Sequence, residues 1–177
     1  TENQKQDLCK FEGNANAFRI LTSLFLESGL KLTYTSLASI IKYPSDSISG
    51  FNKKSGFIAT KKSGYFNAEE NHFLEVVKEL EIPQIAPNIY ARHPYVFLVE
   101  AADDICYRII DLEDAHSLNV ISIEEAIGLL LPLFDGDSAE NYVKDKLEKI
   151  LDNNQKLTFL RAMLINVLVK KCTDVFI

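Results

Sequence analysis

Residues 94–118 read PYVFLVEAADDICYRIIDLEDAHSL, and this stretch decides the fold. At about 100° per residue, Glu100, Asp103, Asp104, Tyr107, Asp111 and Asp114 fall within a wedge of roughly 100°. Leu98, Ala102, Ile105, Ile109 and Leu112 fall on the opposite side. The pattern predicts one long amphipathic helix over residues 94–118, acidic along one stripe and apolar along the other.

Working outward, the same period recurs. Residues 14–27 carry Phe18, Leu21 and Phe25 at helical spacing, with Gly29 as a stop. Thr33 or Thr35 caps a second helix through Ile41, which Lys42-Tyr43-Pro44 ends. Residues 69–81 read as a helix stopped by Pro83, and residues 122–131 open with a Ser122-x-x-Glu125 capping box. Residues 139–152 and 157–171 complete the helices. Residues 44–68 are rich in Ser, Gly and Lys without sustained period, which predicts a long loop or a pair of short ribbons. No βαβ alternation, internal repeat or low-complexity segment is visible, so the expected class is all-α, a single helical domain over residues 1–177.

The 177 residues are 47% hydrophobic and 25% charged, an ordinary globular balance with room for a sizeable core. Charges interrupt every long apolar stretch, and no secretory signal is visible, so no membrane partner is expected. Cys9, Cys106 and Cys172 are an odd count without metal-type spacing, which argues against a disulfide framework or zinc finger and suits a cytoplasmic setting. With a net charge of −6, nucleic-acid binding is not indicated. The start at Thr1 and the apolar end at Ile177 suggest a piece of a longer protein.

Two stretches carry candidate chemistry. The acidic stripe reads either as a solvated face or as a site. Five carboxylates on one stripe repel unless cations intervene. Tyr107 in their midst offers an aromatic platform for a sugar. Asp103, Tyr107 and Asp111, at i, i+4 and i+8, point in nearly one direction: a hard oxygen ligand, an aromatic surface and a hydroxyl acceptor. The second stretch, residues 42–65, holds Lys42, Lys53, Lys54, Lys61 and Lys62 against Asp46, a net +4, with Gly50, Gly56 and Gly64 among them. Mobile glycines and ammonium groups suit a polyphosphate; a solvated basic loop is the plainer reading.

These stretches sit inside longer phrases. Phe11-Glu12-Gly13-Asn14-Ala15-Asn16-Ala17-Phe18-Arg19 resembles FEGNAQxxR, with Asn16 where the phrase has Gln. Leu32-Thr33-Tyr34 through Lys42-Tyr43-Pro44 resembles LTYxxLxxxxKYP, Lys61 through Phe66 resembles KKxGYF, and His93 through Tyr107 resembles HPxxxLxEAADDIxY. In this order and spacing they resemble the dGTPase branch of the HD-domain triphosphohydrolases, over roughly residues 9–118. The resemblance implies an HD-like helical bundle, here partial, and hydrolysis of dGTP or another dNTP to deoxynucleoside and tripolyphosphate, with dGTP favoured. It implies a divalent cofactor, Mg or Mn, with Asp103 as one ligand. Tyr107 would pack on the deoxyribose and Asp111 bind the 3′-hydroxyl; Asn14, Lys42, Tyr43 and Lys62 would contact the triphosphate. A homo-oligomer is also implied.

The family's remaining metal ligands are His and His-Asp. The chain has no His-Asp dipeptide, and His72, His93 and His116 do not fit the pattern. The expectation is therefore that these residues alone hold no catalytic group, bind metal weakly and are inactive. The alternatives are a non-catalytic dNTP-binding or oligomerisation module and a plain helical interaction domain. Plainer roles are expected elsewhere: His93 and His116 at helix ends, Glu12 at a helix start, Cys106 as a small core residue, and Phe18, Phe25, Phe97 and Phe134 in the core.

Overall fold

Eight α-helices and one two-stranded hairpin are present among residues 2–23, 30–52 and 54–177, which the computed structural model describes. The helices are α1 (Glu2–Cys9), α2 (Gly13–Thr22), α3 (Tyr34–Ile40), α4 (Glu70–Glu79), α5 (Tyr95–Ser117), α6 (Ile123–Leu130), α7 (Glu140–Lys149) and α8 (Asn153–Phe176). The hairpin joins β1 (Gln84–Ala86) to β2 (Ile89–Tyr90), antiparallel. The architecture is all-α, an HD-like helical bundle. The chain divides into two compact units, Thr1–Val99 and Glu100–Ile177, the division falling within α5.

The N-terminal unit closes on an aromatic core. Tyr65 stacks on Phe73 at 3.9 Å between ring centroids, and Phe18 and Tyr90 meet Phe73 edge-on at 6.3 and 5.2 Å. Leu37, Ala38, Ile41 and Val76 fill in around them. Thr33 rather than Thr35 caps α3, its Oγ1 accepting the Ser36 N–H at 3.1 Å. Helix α2 ends at Thr22 with Ser23 extended, short of the expected residue 27; Phe25 and the Gly29 stop lie outside the described residues. Helix α1 and the hairpin were not expected. The hairpin is too short to show a period, and its turn is set by Asn88 at φ 56°, a left-handed position that Asn tolerates.

The stretch 44–68 is a loop, as expected, but a pinned one. It carries two short 3₁₀ turns (Ile58–Thr60 and Asn67–Glu69) and one β-bridge, Ser45 to Ile89. Its glycines at 50 and 64 serve close packing instead of mobility. A Cβ at Gly64 would lie 2.3 Å from the Tyr43 carbonyl oxygen, and one at Gly50 would lie 2.7 Å from that of Lys62.

The C-terminal unit is aliphatic. Ile105 and Ile109 of α5 pack with Ala126 and Leu130 of α6, Val143 and Leu147 of α7 and Leu160 and Leu164 of α8, around Phe134. The Ser122–Glu125 capping box forms both of its hydrogen bonds. Asp152 caps α8, its carboxylate accepting the Gln155 N–H at 2.8 Å. Arg161 of α8 pairs with Glu113 of α5. Two core expectations fail. Cys106 is exposed, flanking the buried Ile105 on the wheel's shoulder. Phe97 is 52% exposed, with the Arg92 guanidinium 4.5 Å from its ring centroid, so a cation covers a face that the core does not.

Candidate functional site

The predicted phosphate contacts lie in the N-terminal unit. Asn14 stands in the first turn of α2, which Glu12 caps by accepting the Asn14 N–H at 3.3 Å. The same Glu12 oxygen accepts Asn14 Nδ2 at 2.6 Å. Fifty residues away in sequence, Lys62 reaches Glu12, with Nζ 3.3 Å from both carboxylate oxygens. Asn14 and Lys62 therefore share one anchor. Glu12 is buried, its side chain 10% exposed, while the side chain of Lys62 remains 45% exposed.

Lys42 and Tyr43 follow α3. The Lys42 ammonium lies 6.0 Å from the Tyr43 ring centroid, and Tyr43 is buried. The loop ties this pair to the Lys62 segment. Ser45 Oγ donates to the Lys62 carbonyl at 3.1 Å, and the Gly64 N–H donates to the Ser45 carbonyl at 3.0 Å. Gly64 packs directly against the Tyr43 carbonyl, so a side chain there would force the two strands of the loop apart. Lys61 and Lys54 are exposed on the same loop, and Lys53 lies outside the described residues.

A second polar knot supports this arrangement. Asp7 of α1 is buried, and its Oδ1 accepts from Ser47 Oγ at 2.6 Å, Asn67 N at 3.0 Å and Asn67 Nδ2 at 2.9 Å. Lys10 donates to the Ser47 carbonyl at 3.1 Å. Glu69, which Arg19 approaches at 3.3 Å, has its carboxyl held above the usual range, chiefly by burial and then, after the opposing pull of Arg19, by the Asp7 charge. Asp46, also buried, accepts the Ser49 N–H at 2.6 Å. Its charge helps raise the Tyr65 hydroxyl, for which burial is the larger cause.

The predicted metal and sugar residues lie in the C-terminal unit. Asp103, Tyr107 and Asp111 are all exposed along α5, Tyr107 at 62%, with Asp104 and Asp114 beside them. The opposite face supplies Ile105 and Ile109 to the core, so the stripe's direction is set by packing. His116 closes the last turn of α5, its Nδ1 3.3 Å from the Ile121 carbonyl, and His93 accepts the Tyr95 N–H at 3.2 Å at the start of the helix. Both histidines thus have the helix-end roles expected. Among the described residues no group of three or more His, Cys, Asp and Glu side chains could hold a metal ion. One carboxylate, Asp103, does not make a divalent site, which needs several oxygen or nitrogen donors.

The residues that sequence reasoning undervalued are Glu12 and Asp7. Glu is an uncommon helix cap, so its place before Asn14 was the available signal. Asp7 gave none, because its partners lie 40 and 60 residues away. Among the described residues no helix is long and apolar enough to cross a membrane.

The helices, hairpin and pinned lysine loop define an all-α, HD-like protein with a cationic donor set on one unit and an acidic stripe on the other. No protein-family model matches the chain. It is similar to the deoxyguanosinetriphosphate triphosphohydrolase-like protein of Pseudomonas aeruginosa (strain LESB58), 34% identical over 181 residues, covering 98% of this chain and 39% of that protein. It is also similar to the protein so named from Synechocystis sp., 36% identical with 98% and 39% covered. The deoxyguanosinetriphosphate triphosphohydrolase of Yersinia enterocolitica is 39% identical over 122 residues, covering 68% of this chain and 23% of that protein. The chain belongs to the deoxyguanosinetriphosphate triphosphohydrolase-like family, and it spans 39% of the length of the first two relatives.

Proposed function

We propose that this chain is the central and C-terminal portion of a helical HD-type domain and supplies the substrate-binding side chains of a dNTP triphosphohydrolase, with dGTP the favoured substrate. The observation that carries the reading is the gathering of Asn14, Lys42-Tyr43 and Lys62, far apart in sequence, by one hydrogen-bonded loop. N–H donors and ammonium groups carried by segments that one loop ties together suit a polyphosphate, and would stabilise the charge on a departing tripolyphosphate. Water attacks the α-phosphorus, the bond from that phosphorus to the 5′-oxygen breaks, and deoxynucleoside and tripolyphosphate result. Tyr107 packs on the deoxyribose, disfavouring a 2′-hydroxyl, and Asp111 accepts from the 3′-hydroxyl. Asp103 contributes one oxygen to a divalent ion, Mg or Mn, whose other ligands come from outside these residues. The whole protein acts in the cytoplasm as a homo-oligomer.

Product analysis on the whole polypeptide carrying this chain tests the reading. With dGTP and Mg²⁺ or Mn²⁺, wild type releases deoxyguanosine and tripolyphosphate, and Asp103→Ala does not. Release of no tripolyphosphate from any dNTP, alone or with a second dNTP as activator, rejects it. Tyr107→Ala relaxes the preference for deoxy over ribo substrates; an unchanged preference removes Tyr107 from the sugar site. The lone carboxylate favours one other reading, a non-catalytic dNTP-binding or oligomerisation module, which predicts dNTP-dependent melting shifts without turnover.

A further inference from the structure

Glu12 is buried, caps α2, and touches both the Asn14 carboxamide and the Lys62 ammonium. A carboxylate only accepts hydrogen bonds, so the contact fixes which end of the Asn14 amide faces it. One Nδ2–H points to Glu12; the other, with Oδ1, remains. Lys62 has three N–H donors; one is donated to Glu12 Oε1 at 3.3 Å, and the ammonium also lies 3.3 Å from Oε2. Its side chain is nearly half exposed and, without a partner, would sample many rotamers.

We propose that Glu12 is a positioning residue of the polyphosphate site: one rigid carboxylate that orients the amide of Asn14 and the ammonium of Lys62 so that their remaining N–H groups face an anion together. The inference rests on the assignment of Asn14 and Lys62 as phosphate contacts. Two effects of Glu12 oppose each other. Its negative charge repels a polyanion, while its anchoring removes the ordering cost of a long lysine side chain. The Lys62 ammonium, 3.3 Å from both carboxylate oxygens, already offsets that charge. Nothing offsets the ordering cost when the anchor is absent. Immobilising a rotamer-rich side chain weakens binding by about three- to tenfold when it is left to the ligand, so positioning wins.

Titration of the whole polypeptide carrying this chain with inorganic tripolyphosphate at physiological salt decides the matter. Glu12→Gln keeps the length and one accepting oxygen for Asn14 and loses the ion pair that holds Lys62. It is expected to bind tripolyphosphate about three- to tenfold more weakly than wild type. Lys62→Met should then cost less in the Glu12→Gln background than alone, a coupling that general loosening of the fold would not produce. Equal or tighter binding by Glu12→Gln, or strictly additive penalties, overturns the proposal. If Lys62→Met and Asn14→Ala both leave wild-type affinity intact, the phosphate assignment itself fails, and this inference with it. Should Glu12→Gln not fold, Glu12→Asp retains charge and cap but draws the carboxylate back from Lys62; weakened binding supports positioning, and wild-type affinity overturns it.

Discussion

The two units are built on opposite principles. Among the described residues, every buried polar or charged side chain lies in the N-terminal unit: Asp7, Glu12, Ser45, Asp46, Ser47, Thr60 and Ser63. The buried cluster of the C-terminal unit is apolar throughout, Ile, Leu, Val and Ala around Phe134. One unit is specified by hydrogen bonds that each need a particular partner, the other by volume and periodicity, where neighbouring aliphatics substitute for one another at modest cost. The unit carrying the cationic donors is the one whose loop geometry is over-determined, as a preorganised anion site requires.

The comparison can be pressed at four points. Phe134→Ala empties the centre of the aliphatic cluster and should cost about 3–5 kcal/mol in urea unfolding, because the side chain is fully buried. A loss below 1 kcal/mol would mean that this core is less tightly packed than described. Gly64→Ala drives a methyl into the Tyr43 carbonyl and should cost about 1–3 kcal/mol while weakening dNTP or tripolyphosphate binding. Retained stability and binding would show a pliant loop. Gly128→Ala, on an exposed turn of α6 with nothing within 4 Å of the new methyl, should instead stabilise by up to about 1 kcal/mol.

The smallest effect concerns Glu69. Its carboxyl is held above the ordinary value of 4.5, by burial first and Asp7 further, with Arg19 and His72 pulling the other way. The folded state therefore favours the protonated acid. That contribution is complete below 4.5 and is lost as pH rises through the folded value. Glu69→Gln does not ionise, so it should melt higher than wild type by roughly 2 °C at neutral pH, and the difference should shrink as pH falls below the unfolded value. A difference independent of pH would show that the lost Arg19 pair, rather than burial, governs the variant.

How much was legible follows from the same contrast. The face of α5 could be read because Ile105 and Ile109 recur at helical spacing and packing obeys it. The capping box at Ser122 and Glu125 is local and formed as read. The phrases around Asn14, Lys42 and Lys62 marked candidate donors, but not that Glu12 joins two of them, since that pair spans 50 residues. Gly50 and Gly64 suggested mobility because sequence shows a missing side chain, not the carbonyl that occupies its place. Cys106 and Phe97 were misplaced because residues at the shoulder of a helical wheel are assigned by neighbours that the wheel does not contain.

Asp7 also sets a timetable. Its acceptor oxygen waits for Ser47 and then Asn67, partners that leave the ribosome 40 and 60 residues later. Contacts between sequence neighbours, such as the packing of α6 on the turn that follows it, close over short loops at little entropic cost. The docking of α1 is thus incomplete until Asn67 has been made, and a chain interrupted before residue 67 lacks two of the three donors that fasten that carboxylate.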